Sequence, residues 1–98
     1  MSKLKPIHPG EILREEFLLP MNISPARLAE DTKISLEDIA EIIEEKSSIT
    51  PNAALRLSLY FGLSERFWLN LQSRYDLETE KDKLADRLKQ EVRILATV

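Results

Sequence analysis

Five times between Ile7 and Trp68 the chain repeats one local device: an apolar residue, a helix-capping residue, and a second apolar residue five positions after the first. It reads Ile7-His8 with Ile12, Ile23-Ser24 with Leu28, Ile34-Ser35 with Ile39, Ile49-Thr50 with Ala54, and Leu63-Ser64 with Trp68. In a helix these are the N′, N-cap and N4 positions. The two apolar side chains meet there, and the cap between them accepts an otherwise orphaned backbone N–H. Proline follows the cap at Pro9, Pro25 and Pro51, where its missing N–H costs nothing. Five closely spaced starts predict five helices with short connections. No stretch alternates with the period of two that a half-buried strand shows. The expected fold class is all-α.

The first helix is expected from Gly10 to about Leu18, with Ile12, Leu13, Phe17 and Leu18 inward and Pro20 ending it. The second runs from the Ser24 cap to about Thr32, and the third from Leu36 to about Glu45. The fourth, Pro51 to Phe61, is so apolar that it should be the most buried, and Gly62 closes it. The fifth starts at Ser64 and gathers Phe67, Trp68, Leu69 and Leu71. Beyond Tyr75 the chain turns charge-rich, yet Leu84, Leu88, Val92 and Leu95 recur at helical intervals. So narrow a stripe needs a partner surface: the domain itself, a second copy of the chain, or another protein. The expected division is a domain over 1–78 and a charged helical extension over 79–98.

At 98 residues and 43% apolar, the chain can bury a core of its own, roughly 60–68% of its unfolded surface. It has no cysteine, which excludes disulfides, thiolate chemistry and zinc ribbons and fits a reducing compartment. No apolar run reaches the roughly 20 residues that span a bilayer, and MSKLKPIHPG lacks a signal-peptide core. A cytoplasmic protein is expected, with no membrane contact. His8 is the sole histidine, so it is expected to cap or line a loop; no metal or cofactor site is foreseen. Catalytic sets are absent too: there is no Cys–His or Ser–His–Asp pattern, and two glycines make no phosphate loop. Phe67, Trp68 and Tyr75 could stack on single-stranded bases, but beside Leu69 and Leu71 they fit core packing better.

The most informative stretch is Ile23 to Thr50. It holds two short helices separated by about four residues, the spacing of a helix-turn-helix. The second of the pair would be the one offered to a DNA major groove. Its charge is unusual for that task. Residues 35–49 hold Glu37, Asp38, Glu41, Glu44 and Glu45 against Lys46 alone, in a chain whose net charge is -3. Asp38 can return a hydrogen bond to the Ser35 N–H, and with Glu37 it suits the positive helix start. Glu41, Glu44 and Glu45 lie toward the other end, where the dipole disfavours them. Acids read DNA only by accepting from cytosine N4. Each also meets phosphates of its own sign, at roughly 1 kcal/mol per pair at about 4 Å in water. Arg14, Arg27, Lys33 and Lys46 are the bases available to offset them.

Four blocks carry a resemblance: HPGEIL from His8, SPARLAED from Ser24, ITPNAALRLSLYFGLS from Ile49, and FWLNLQSRYDLE from Phe67. On these the chain resembles the HigA group of Xre/Cro-type helix-turn-helix proteins, from about Ile7 to Leu77. The resemblance implies a five-helix lambda-repressor-like domain with a C-terminal helical extension. It further implies an antitoxin that neutralises a RelE/HigB-like ribonuclease toxin and, as a homodimer, represses its own operon by binding operator DNA. The DNA-facing residues implied are Ser24, Arg27, Lys33, Ser35, Leu36, Glu37, Asp38, Glu41 and Lys46. The chain departs from the pattern at Lys33 and Glu45, where the group commonly has glycine, and at Pro25, where it commonly has glutamine. An alternative follows from the charge: a protein-binding module of the same fold, whose acidic third helix engages a basic partner.

Overall fold

The computed structural model describes residues 5–96. The N-terminal residues 1–4, part of the stretch expected to lack a signal-peptide core, and the last two of the expected extension lie outside the described residues. Within them the chain forms helices and no strand: α1 (Pro9–Ile12), α2 (Pro25–Thr32), α3 (Leu36–Ile43), α4 (Pro51–Phe61), α5 (Phe67–Leu84) and α6 (Arg87–Glu91). None of these helices is long and apolar enough to cross a membrane.

Four of the five expected starts form at the caps named above. His8 Nδ1 accepts from the Gly10 N–H at 2.9 Å, Ser24 Oγ from Arg27 at 3.1 Å, Ser35 Oγ from Asp38 at 3.1 Å, and Thr50 Oγ1 from Ala53 at 3.2 Å. The fifth start is displaced. Ser64 takes the Arg66 N–H on its hydroxyl and the Phe67 N–H on its carbonyl, so it opens a turn and α5 begins only at Phe67.

Two helices differ in detail from expectation, and the fifth runs past position 78. The first helix does reach Leu18, but beyond Ile12 it widens into π-helical geometry over Leu13–Leu18. The Leu19 N–H there donates to the Arg14 carbonyl, five residues back; Pro20 has no N–H with which to continue a regular ladder. The third helix stops at Ile43, because Glu45 takes a left-handed φ of 63°. The fifth runs through position 78 without a break and ends at Leu84, where Ala85 at φ 47° turns the chain. The stripe Leu84, Leu88, Val92 and Leu95 therefore never forms one helical face: α6 has five residues, lacks a side-chain cap, and the chain from Val92 on is not helical. Every residue from Ala85 to Ala96 is exposed, so this stretch has no apolar surface to hold it in register. The molecule measures 55 × 32 × 21 Å with a radius of gyration of 16.9 Å, against about 13 Å for a compact chain of this length.

Each of the first five helical segments sends a large fully buried side chain to the centre: Leu13, Leu28, Ile39, Leu57 and Trp68. Trp68 is walled by Phe17 and Phe67, whose ring centroids lie 5.2 and 5.1 Å away. The aromatic group thus packs the core and offers no stacking platform. Helix α4 is less buried than its composition suggests, because it packs on one face only. Ala53, Ala54 and Leu57 turn inward, while Leu55 and Leu59 stay 52% and 86% exposed.

His8 does more than cap. Its ring is 3% exposed and meets the edge of Tyr75 on α5 at 4.8 Å. Burial pushes its pKa below the usual 6.5, against the upward pull of Glu45, the Ser47 backbone and Asp76. The unfolded chain therefore takes up the proton first. The stabilisation from neutral His8 is complete above about pH 6.5 and is lost as pH falls through that value toward the folded pKa. The urea midpoint of the wild type should drop between pH 7.5 and 5.5. His8→Asn, which keeps a cap acceptor but no titrating ring, should show a flatter profile; equal slopes would count against this account.

Candidate nucleic-acid interface

The recognition pair is built by local chemistry. Helix α2 closes with Lys33 in the left-handed region at φ 63°, where its N–H donates to the Ala29 carbonyl. Thr32 fixes the turn: its hydroxyl donates to the Leu28 carbonyl at 2.7 Å and accepts from the Ile34 N–H at 3.3 Å. Three residues, Lys33 to Ser35, then separate α2 from α3. Ile39 and Ile42 hold α3 to the core from below. Both positions where the HigA group commonly has glycine, Lys33 and Glu45, adopt the positive φ that glycine tolerates best.

The end of α3 is fastened from beneath by the first helix. Gly10 lies so close that a Cβ placed on it would sit 1.8 Å from the Ile42 carbonyl oxygen. Arg14 adds a long hydrogen bond to the Ile43 carbonyl at 3.5 Å. From the other side Gln72 of α5, 5% exposed, accepts the Ile49 N–H at 2.8 Å and donates to Asp76 at 2.9 Å. Neither Gly10 nor Gln72 stood out in the sequence as a positioning residue.

All nine expected DNA-facing residues are exposed: Ser24, Arg27, Lys33, Ser35, Leu36, Glu37, Asp38, Glu41 and Lys46. Ser24 and Ser35 accept backbone N–H groups on their hydroxyl oxygens as caps, which leaves each O–H able to donate. Asp38 uses its N–H toward Ser35, but among the described residues its carboxylate does not make the expected return bond to the Ser35 N–H.

Three of the four bases expected to offset the acids lie against neighbouring carboxylates at the surface. Arg27 pairs with Asp31 at 3.5 Å, and the Tyr60 hydroxyl donates to the same carboxylate at 2.7 Å, which raises the Tyr60 pKa. Lys46 pairs with Glu44 at 2.9 Å, and this hydrogen bond raises its pKa as well. Arg14 lies 3.4 Å from Glu15. Lys33 has no partner among the described residues.

A groove of about 300 Å³ opens between the α2–α3 turn, the outer side of α3 and the start of α4. Ile34, Ile42 and Ala53 contribute apolar surface to it; Lys33 and Arg56 line it together with Asp38 and Glu41. Arg56 was not among the residues singled out from sequence. Its guanidinium donates to Asn52 Oδ1 at 2.8 Å and to the Thr32 carbonyl at 3.0 Å. Among the described residues no group of acids and histidine is arranged to hold a metal ion.

Compared with known proteins, the chain is 45% identical over 94 residues to virulence-associated protein I of Dichelobacter nodosus, covering 96% of this chain and 82% of that one. Antitoxin HigA-1 of Vibrio cholerae is 31% identical over 88 residues, covering 90% of this chain and 83% of that protein. Among solved structures, the antitoxin HigA of Pseudomonas aeruginosa, determined with the higBA promoter, superposes with a TM-score of 0.88 at 44% identity, covering 93% of this chain and 99% of that one. No family model matches the chain.

Proposed function

The chain belongs to the HigA group of helix-turn-helix antitoxins and transcriptional regulators, and on that premise we propose that it is the DNA-binding antitoxin of a type II toxin-antitoxin pair. In this proposal it acts in the cytoplasm as a homodimer, neutralises a RelE/HigB-like ribonuclease toxin, and represses its own operon. The observation that carries the DNA half is the capped α2–turn–α3 unit with its outer face open, in a chain 44% identical to an antitoxin solved with promoter DNA. Helix α3 enters the major groove N-terminus first. Ser24, Arg27, Lys33, Ser35, Leu36, Glu37, Asp38, Glu41 and Lys46 form the face toward the duplex. Residues 79–98 are the extension left for dimer or toxin contact.

One observation supports a second reading. Glu37, Asp38, Glu41, Glu44 and Glu45 are all exposed, and Lys46 is the one base within residues 35–49. A surface of this sign suits a cationic protein partner better than a phosphate backbone. Under that reading the fold remains, DNA affinity is weak, and reversing Glu41 and Glu44 to lysine abolishes capture of the basic partner.

The deciding experiment titrates purified protein against its own promoter fragment and random DNA over a salt series. The proposal expects promoter-selective binding that weakens steeply with salt. Equal, feeble binding to both DNAs would turn the assignment to the second reading. Pull-down of the product of a small basic reading frame encoded next to this one tests the toxin half separately.

A further inference from the structure

We propose that Arg56 and Lys33 together form the phosphate anchor of this interface, an assignment that rests on the DNA-binding proposal above. Between Ser24 and Phe61 the chain has four bases: Arg27, Lys33, Lys46 and Arg56. Two of them sit in exposed ion pairs that a phosphate would have to compete with, Arg27 with Asp31 and Lys46 with Glu44. The other two meet no carboxylate among the described residues, and both line the same groove. Counterion release depends on charge that the protein has not already neutralised. These two side chains therefore supply most of what the helix-turn-helix region can offer to a phosphate.

Arg56 is prepared for that role. Its two hydrogen bonds go to neutral acceptors, Asn52 Oδ1 and the Thr32 carbonyl, so the guanidinium is held in place with its full charge intact. A planar fork already fixed loses little freedom on meeting a phosphate. The carbonyl it grips belongs to the residue before Lys33. That bond ties the guanidinium to the turn that carries Lys33. Lys33 itself sits in the left-handed backbone region at φ 63°, which glycine adopts most readily. Ser48 and Asn52 add neutral polar groups to the groove wall.

The groove is bipolar. Asp38 and Glu41 of α3 line it with the two bases. A phosphate on the basic side leaves the acids directed at base edges, where the cytosine amino group is the one donor they can read. The backbone strand is thereby assigned to the edge of the groove formed by the α2–α3 turn and α4.

The test measures promoter binding from 50 to 200 mM salt for single neutral variants. Lys33→Gln and Arg56→Gln should each flatten the plot of log affinity against log salt by about one unit. Over this range that amounts to roughly three- to fourfold less loss of affinity than in the wild type. Arg27→Gln and Lys46→Gln should flatten it less than half as much. Arg56→Gln also gives up the bond to Thr32, so its circular-dichroism melt is recorded alongside. Lys33→Gln breaks no internal bond and stands as the variant free of that complication, and Arg56→Lys should keep the slope. A steep wild-type slope that neither Lys33→Gln nor Arg56→Gln changes overturns the anchor while leaving DNA binding in place. A slope carried by Arg27 or Lys46 does the same. A wild type without salt-dependent binding overturns the DNA proposal itself, and the anchor with it.

Discussion

Gly10→Ala is expected to cost the fold at least about 3 kcal/mol and to lower the melting temperature by roughly 12–24 °C. The reason is local and steric. The new methyl would sit 1.8 Å from the Ile42 carbonyl oxygen and 2.8 Å from its carbon, both backbone atoms of the last turn of α3. A flexible side chain could swing away from such a contact. Here α1 must lift off α3 as a body. That movement takes the Arg14 contact to the Ile43 carbonyl with it, since that bond crosses the same junction. Small domains have about 5–15 kcal/mol of stability in total, so the loss is large. Gly62→Ala is the control. A Cβ there meets nothing within 4 Å, and the only penalty is the left-handed φ of 70°, about 1 kcal/mol. Thermal melts of the two variants check the difference. If Gly10→Ala melts no lower than Gly62→Ala, the close approach of α1 to α3 is wrong.

What could be read without coordinates follows from how far each determinant reaches along the chain. His8, Ser24, Ser35 and Thr50 cap helices through bonds to residues two or three positions ahead. Such bonds are written in short windows of sequence, and the sequence therefore located these starts, the helix-turn-helix and the acidic face. The determinants that hold the segments flanking α3 are different. Gln72 reaches the Ile49 N–H across 23 positions, and Arg56 reaches the Thr32 carbonyl across 24. No periodicity encodes those pairings. Lys46 illustrates a subtler failure. Charge counting set it down as free to meet DNA, but Glu45 at φ 63° turns the chain there and Lys46 pairs back onto Glu44. The C-terminal stripe failed for the opposite reason. Its period is helical, but periodicity stabilises a helix only when the apolar side has a surface to cover, and Leu88, Val92 and Leu95 have none.

If α3 faces the duplex as proposed, its acids should separate affinity from selectivity, and their removal is the second large effect expected. Changing Glu37 to Gln, Asp38 to Asn and Glu41 to Gln together should tighten binding to random DNA by up to about 100-fold at low salt. The figure comes from like-charge repulsion of roughly 1 kcal/mol for each carboxylate about 4 Å from a phosphate, less where salt screens it. The fold should survive, because Asp38 contributes its backbone N–H rather than its carboxylate to the Ser35 cap. The three side chains are exposed and leave no buried group unsatisfied. Binding to the promoter should gain less than binding to random DNA. Each acid that accepts from a cytosine amino group loses part of that contact when neutralised, and a good base contact is worth about 1–3 kcal/mol of discrimination. The ratio of promoter to random affinity should therefore fall as absolute affinity rises. Fluorescence anisotropy with both DNAs at one salt concentration measures the two quantities together. If both affinities rise equally, the acids act only as a repulsive screen and play no part in base readout. If neither rises, α3 does not face the duplex, and the acidic surface belongs to a protein partner instead.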